Sequence, residues 1–220
     1  MKVGTDGTLL GAWVEPPCGC SYSEPLRILD VGTGTGLIAL MLAQRFPESA
    51  VVGIDIDGAA VSQARENVAD SPFADRVSVV CGDVNTTPLD GHFDMIVSNP
   101  PYFEHALETP DARRTLARHT ASLSYGQLLG KARQLLAADG QLSVIIPFDC
   151  LSHFKSAAAL AGFFLTRECA VKTTPRKSAR RYLLTFALHP SDLRREEGII
   201  EDSPGQRSAW YESLTCNFYL

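Results

Sequence analysis

The chain has 220 residues, of which 45% are hydrophobic and 20% charged, an ordinary globular mix at a length that suits one domain of about 100–200 residues with a small addition. Its formal charge is −5, from 20 basic and 25 acidic side chains. That balance excludes a protein that coats nucleic acid by bulk charge and leaves room only for a local basic patch.

In chain order, the apolar run 9–14 stops at Glu15 and is too short for a secretory signal. Residues 26–31 form a short apolar strand after Pro25, followed at once by Gly32-Thr33-Gly34-Thr35-Gly36. Leu37, Leu40, Met41, Ala43 and Phe46 then recur at helical spacing until Pro47. The pattern repeats, with a buried strand at 50–55, a helix at 58–70, and strands at 77–81 and 93–97. A loop at 99–103 leads to a helix at about 124–138, a strand at 141–146 and a helix at 150–161. Near-continuous apolar strands alternating with amphipathic helices predict an α/β fold with a parallel sheet covered on both faces. Beyond residue 162 two strand-like runs, 163–171 and 182–188, are joined by 172–181 with no helix between, which predicts an antiparallel pair at the sheet edge. The expected sheet has seven strands, mostly parallel. A short strand at 198–200 and a helix near 208–216 form a C-terminal extension over 191–220, so that 1–220 reads as one domain with its core in 1–190.

No pair among the six cysteines (18, 20, 81, 150, 169, 216) has C-x-x-C spacing, and the five histidines have no ligand spacing, so no metal is expected. The thiols read as free, and the one close pair, Cys18-Gly19-Cys20, lies in a Pro/Gly/Ser loop. No apolar stretch approaches the ~20 residues of a membrane span. A cytoplasmic protein without a membrane contact is the expectation.

A glycine turn between a strand and a helix lets the backbone approach a ligand and exposes helix N-terminal amides. The dinucleotide fingerprint G-x-G-x-x-G fails here, because its third glycine falls on Leu37. The glycines are spaced G-x-G-x-G behind Asp30. Asp55 closes the second strand, where a carboxylate can accept both ribose hydroxyls, and Gly82-Asp83-Val84 follows the third. Three acids at successive strand ends point to a nucleoside-type cofactor. D-V-G-T-G-T-G resembles the first motif of Rossmann-like class I S-adenosylmethionine-dependent methyltransferases. The resemblance implies S-adenosylmethionine as cofactor, held by Asp30, Gly32, Thr33, Gly34, Gly36, Asp55, Ile56, Asp83, Val84 and Asn99.

Ser98-Asn99-Pro100-Pro101-Tyr102-Phe103 follows the fourth strand at the same edge. The lone pair of an amide-like or aniline-like nitrogen is delocalised, so fixed acceptors for its two N–H groups favour the pyramidal, positive transition state. Asn99 supplies a side-chain carbonyl and Pro100 a backbone one. Two prolines hold the backbone extended without competing N–H donors. Tyr102 supplies a flat stacking face and Phe103 a second wall. Asn99, Pro100, Pro101 and Tyr102 resemble the catalytic motif of amino-methyltransferases, which act on adenine N6, guanine N2 or the glutamine amide.

Two basic clusters stand against the acidic average: Arg113, Arg114, Arg118 and His119 past the catalytic loop, and Lys172, Arg176, Lys177, Arg180 and Arg181 in the connection between the last two strands. Clustered charge of this kind suits phosphate contacts. The opening MKVGTDGTLLGAW, SNPPYF, ARHT at 117–120 followed by Leu123, and the ending YESLTCNFYL together resemble the bacterial tRNA adenine-N6 methyltransferases that modify valine tRNA. That resemblance implies N6 of the adenosine just 3′ of the anticodon as target, tRNA as partner, and Lys2, Thr5 and Asp6 beside the methionine part of the cofactor. A monomer is expected. Members of that family usually carry a further strand-bearing segment ahead of M-K-V-G-T-D; either the start of this sequence is misassigned or trimmed, or an element that helps hold cofactor or RNA is lacking, which bears on affinity more than on chemistry. Three other readings remain: a release-factor glutamine methyltransferase, a non-catalytic module that grips cofactor and RNA, and a small-molecule methyltransferase.

Overall fold

The computed structural model describes residues 4–17, 25–101 and 123–218. Strands β1 (Arg27–Val31), β2 (Ala50–Asp55), β3 (Val77–Cys81), β4 (Phe93–Ser98), β5 (Leu136–Pro147), β6 (Phe164–Lys172), β7 (Arg181–Ala187) and β8 (Arg194–Ile199) form one sheet in the order β3-β2-β1-β4-β5-β7-β6-β8. Helices α1 (Thr5–Trp13), α2 (Leu37–Arg45), α3 (Gly58–Ala69), α4 (Tyr125–Leu135), α5 (Phe148–Leu160) and α6 (Ala209–Thr215) cover it. A small hairpin pairs β9 (Glu201–Ser203) with β10 (Gln206–Arg207).

Residues alternate between two cores, as period-2 strands require. Leu29, Ile96, Val144 and Leu184 pack with α4 and α5 on one face, whereas Ile28, Met95, Ile145 and Leu183 pack with α1 and α2 on the other. Phe154 of α5 is fully buried and meets the rings of Tyr125 and Phe186 at 4.9 and 5.8 Å. Truncating such a ring to alanine costs about 3–5 kcal/mol. Side chains fix the helix starts: Asp57 accepts the amide of Ala59 at 2.9 Å before α3, and Ser124 and Gln127 form a reciprocal capping box before α4.

The expected seven strands are present, and the tail adds an eighth. β8 pairs in parallel with β6, from Arg167 opposite Arg194 to Lys172 opposite Ile199. β6 and β7 are antiparallel as expected, but β7 lies between β5 and β6 and is the one strand that runs against the other seven, so the edge belongs to β8. The short tail strand expected at 198–200 thus starts earlier, at Arg194; its charged opening RREE hides that part because an edge strand needs no continuous apolar face and gains from charge. Regular pairing of β5 with β4 starts at Gln141 opposite Met95, where the sequence placed it, although the strand begins at Leu136 across an irregularity.

Helix α1 has no amphipathic period because all residues from Gly7 to Trp13 are buried. Gly11 lets it lie close against α2: a Cβ there would stand 2.9 Å from Met41 Sδ. On its other side, the Arg167 guanidinium sits 3.9 Å from the Trp13 ring centre and donates to Glu196, which also accepts from Trp13 Nε1. This cluster ties α1 to the two outermost strands.

Candidate active site

The register lines up the carboxyl ends of four strands. Val31 stands opposite both Ile54 and Ser98, and Asp55 opposite Cys81. Ligands in open α/β sheets bind at this edge, next to the point where strand order reverses, here between β1 and β4. The loops after β1 to β4 enclose a cavity of about 300 Å3. Among the sequence candidates, Gly32, Asp55, Ile56, Asp83, Val84, Asn99, Pro100 and Pro101 line it. Leu123 and Ser98 line it too, although the sequence gave them no role of their own. Ser98 donates its hydroxyl to the Val31 carbonyl at 2.8 Å, which fastens β4 to β1 at the cleft wall. A hydroxyl ending an apolar strand was the available signal.

Gly32, Gly34 and Gly36 have φ of 73°, 58° and 84°, a region in which a side chain is strained. Among the described residues, chain neighbours aside, no atom lies within 4 Å of where a Cβ on Gly32 would stand, and Gly32 itself lines the cleft. Asp30 holds the loop from below: its Oδ2 accepts the Thr33 hydroxyl at 2.7 Å and the Ala39 amide at 3.1 Å, which ties the turn to α2. The carboxyl is fully buried, and its Oδ1 accepts no hydrogen bond among the described residues. Burial pushes it up to about 7, with the charge of Asp55 adding and the two hydrogen bonds opposing. Asp30 therefore supports the cleft from behind Val31 and Gly32 rather than lining it.

Asp55 is held from two loops, because Gly34 N–H donates to Oδ2 at 2.8 Å and Asp57 N–H to Oδ1 at 2.9 Å. Each oxygen keeps a second lone pair, so the fixed carboxylate can still accept a diol. Asp83 Oδ1 accepts the backbone and side-chain N–H groups of Asn85, both at 2.9 Å. Ile56 is 50% exposed at the cleft wall, and Val84 is buried beside it, an apolar surface suited to a flat ring. An open backbone approach at Gly32, a diol acceptor at Asp55 and an apolar wall at Ile56 together fit a nucleoside that carries an amino-acid arm.

Asn99 is half-buried, Pro100 buried and Pro101 exposed at the opposite wall. Lys2, Tyr102, Phe103, Arg113, Arg114, Arg118 and His119 lie outside the described residues, as do Cys18 and Cys20. Thr5 and Asp6 open α1 and are not in the cleft wall; Asp6 Oδ2 accepts from Arg181 Nε at 2.7 Å. Lys172 pairs with Glu197 at 2.7 Å. Arg176, Lys177 and Arg180 are exposed in the turn between β6 and β7 and make no ion pair among the described residues. Since β6 runs with β1 to β5, that turn lies on the same edge as the cleft. Among the described residues no three His, Cys, Asp or Glu side chains gather to hold a metal, and no helix is long and apolar enough to cross a membrane.

Residues 22–174 match the methyltransferase small domain family. The tRNA1(Val) (adenine(37)-N6)-methyltransferase of Bacteroides thetaiotaomicron is 45% identical over the whole of this chain and 91% of its own length. The enzyme of the same name from Tolumonas auensis is 38% identical over the whole chain and 90% of its own length. Among solved structures, a predicted O-methyltransferase from Agrobacterium tumefaciens superposes with a TM-score of 0.71 over 96% of this chain and 95% of its own, at 20% identity. That likeness carries the fold alone. With the cleft and the family in agreement, the chain belongs to the methyltransferase small domain family and is an S-adenosylmethionine-dependent methyltransferase.

Proposed function

We propose that the protein methylates the exocyclic N6 of adenosine 37, next to the anticodon, in valine tRNA. The observation that carries this reading is the position of Asn99-Pro100-Pro101 across the cleft from Asp55 and Asp83, so that an amine acceptor faces a nucleoside site. The names of the relatives over the full length of the chain support the substrate.

S-adenosylmethionine supplies an electrophilic methyl group on a sulfonium. In this reading Asp55 receives the ribose hydroxyls, while Asp83, Val84 and Ile56 hold the adenine end. The Gly32, Thr33, Gly34 and Gly36 turn, backed by Asp30, cradles the methionine end together with Lys2, Thr5 and Asp6. The Asn99 side-chain oxygen and the Pro100 carbonyl accept the two N–H bonds of the target amine, which draws its lone pair out of the ring as positive charge develops. No strong base is needed, because the proton becomes acidic once the methyl group has moved.

Tyr102 stacks on the target base and Phe103 walls it. The bases of an anticodon loop are already exposed, so extrusion costs only a few kcal/mol. Arg113, Arg114, Arg118 and His119 join the hairpin cations on phosphates. The protein acts in the cytoplasm, as a monomer.

The test is transfer of radiolabelled methyl from S-adenosylmethionine to total tRNA from cells lacking the protein, followed by nucleoside digestion. A labelled N6-methyladenosine peak is the expected result. Label absent from RNA but present on a glutamine of a release factor would overturn the reading.

A further inference from the structure

Phe148 is 53% exposed, one of four large apolar side chains left open among the described residues. Single exposed apolar residues are common and need no explanation. The surroundings of this one set it apart. Phe148 begins α5 directly after β5, four residues past Val144, which pairs with Ser98 of β4. It therefore stands at the carboxyl edge of the sheet, at the end of the strand that neighbours β4, the strand leading into Asn99. It pairs with the half-buried ring of Tyr182, centres 6.3 Å apart and planes 33° off parallel. Tyr182 belongs to the same face of the sheet as Val31, Ile54 and Val84, the apolar wall of the cleft.

The backbone of Phe148 is tied to the basic turn. Phe148 N–H donates to the Arg180 carbonyl at 3.1 Å, and Arg180 N–H in turn to the Val171 carbonyl at 3.1 Å. This fixes the turn at 173–180, with exposed Arg176, Lys177 and Arg180, beside the aromatic pair. The adjoining acid, Asp149, stands in the first turn of α5, where it answers the positive end of that helix. Aromatic faces interleaved with unpaired cations are what single-stranded nucleic acid binds, bases stacking while phosphates meet charge. An apolar protein partner would not call for the three cations.

We infer that Phe148 and Tyr182 form a stacking platform for unpaired RNA bases next to the target nucleotide, with Arg176, Lys177 and Arg180 holding the adjoining phosphates. This deepens the tRNA reading and rests on it for the source of the RNA. The platform explains how a protein of net negative charge can prefer a loop over a duplex: charge alone attracts both, and only an unpaired base offers a free face.

The test compares Phe148→Ala, Phe148→Trp and the triple change Arg176→Ala, Lys177→Ala, Arg180→Ala in the full chain. Readouts are affinity for a fluorescent RNA hairpin with an unpaired loop, affinity for a blunt RNA duplex of equal phosphate number, the salt slope of each, and methyl transfer to tRNA. Retained S-adenosylmethionine binding shows that each variant is folded. Phe148→Ala is expected to weaken loop binding roughly 5- to 150-fold with an unchanged salt slope and little effect on the duplex. Phe148→Trp should restore the loop affinity, and the triple change should weaken both RNAs and flatten the slope by about two for three phosphate contacts. Wild-type loop binding and KM for tRNA in Phe148→Ala, with methyl transfer intact, would overturn the platform and leave the tRNA reading standing. Loop binding lost in Phe148→Ala while the wild-type protein methylates no tRNA would keep the platform and overturn the substrate.

Discussion

The two halves of the sheet are built on different terms. Around β1, β2 and β3 every functional group sits within a few residues of a strand end and is held by its own loop or the one beside it: Asp30 by Thr33, Asp55 by Gly34 of the neighbouring loop and by Asp57, Asp83 by Asn85. Around β5 to β8 the contacts run between distant segments: Asp6 with Arg181 and Lys172 with Glu197 near the cleft edge, and Arg167 with Glu196 beneath Trp13 toward the other end of β6. The first half is a fixed cradle for a ligand that does not vary. The second is a surface assembled by strand order, suited to a large substrate that must be gripped over several points. Rigidity is local on the cofactor side and long-range on the substrate side.

The comparison can be broken most sharply at its boundary. Asn99→Ala is expected to lower kcat by roughly 10²-fold or more with cofactor affinity preserved, by analogy with the loss of one preorganised hydrogen-bonding group; equal losses in both, seen by calorimetry and single-turnover transfer, would move Asn99 into the cofactor half. On the cofactor side, Asp55→Ala removes the diol acceptor and the anchor of Gly34. It should raise the Kd for S-adenosylmethionine about 10- to 100-fold while leaving affinity for RNA as it was.

On the substrate side, Arg167→Ala strips Glu196 and Trp13 of a 12%-exposed partner. It should cost about 2–4 kcal/mol of stability by denaturant titration without changing cofactor affinity. A fourth test concerns pH. Asp30 is raised from 3.8 to about 7 in the fold, so the folded protein holds a proton that the unfolded chain has released over that range. The stability linked to that proton is fully present below about pH 4 and is lost as pH rises through about 7. Relative to wild type without cofactor, Asp30→Asn should therefore gain in Tm as pH rises from 4 to 7, and a constant difference would show that Asp30 does not titrate there. The smallest effect is expected from the triple Arg176, Lys177 and Arg180 change, whose unfolding free energy should stay within about 0.5 kcal/mol of wild type.

The same division decides what could be read from sequence. The first five strands, the helices between them and the cleft-lining glycines and acids were legible, because period, turn chemistry and strand-end acids are local signals. Asp30 was legible as a motif residue but not as a buried support, since burial depends on α2 closing over it. The place of β7 between β5 and β6 follows from strand order, which no local pattern encodes. The tail strand was legible only at its apolar end, 198–200, because Arg194, Arg195, Glu196 and Glu197 read as a solvated run, although the register with β6 is regular over six residues. Helix α1 escaped because it is buried all round. Phe148 falls between the strand expected at 141–146 and the helix expected at 150–161; its exposure and its pairing with Tyr182 across β5 and β7 exist only after folding.

The most direct test of the account is methyl transfer to two valine tRNA transcripts that differ only at position 37, adenosine in one and guanosine in the other. The account predicts one labelled N6-methyladenosine in the first and no label in the second. Label that persists in the guanosine transcript, or that falls at another adenosine in both, would contradict the placement of the target base at Asn99.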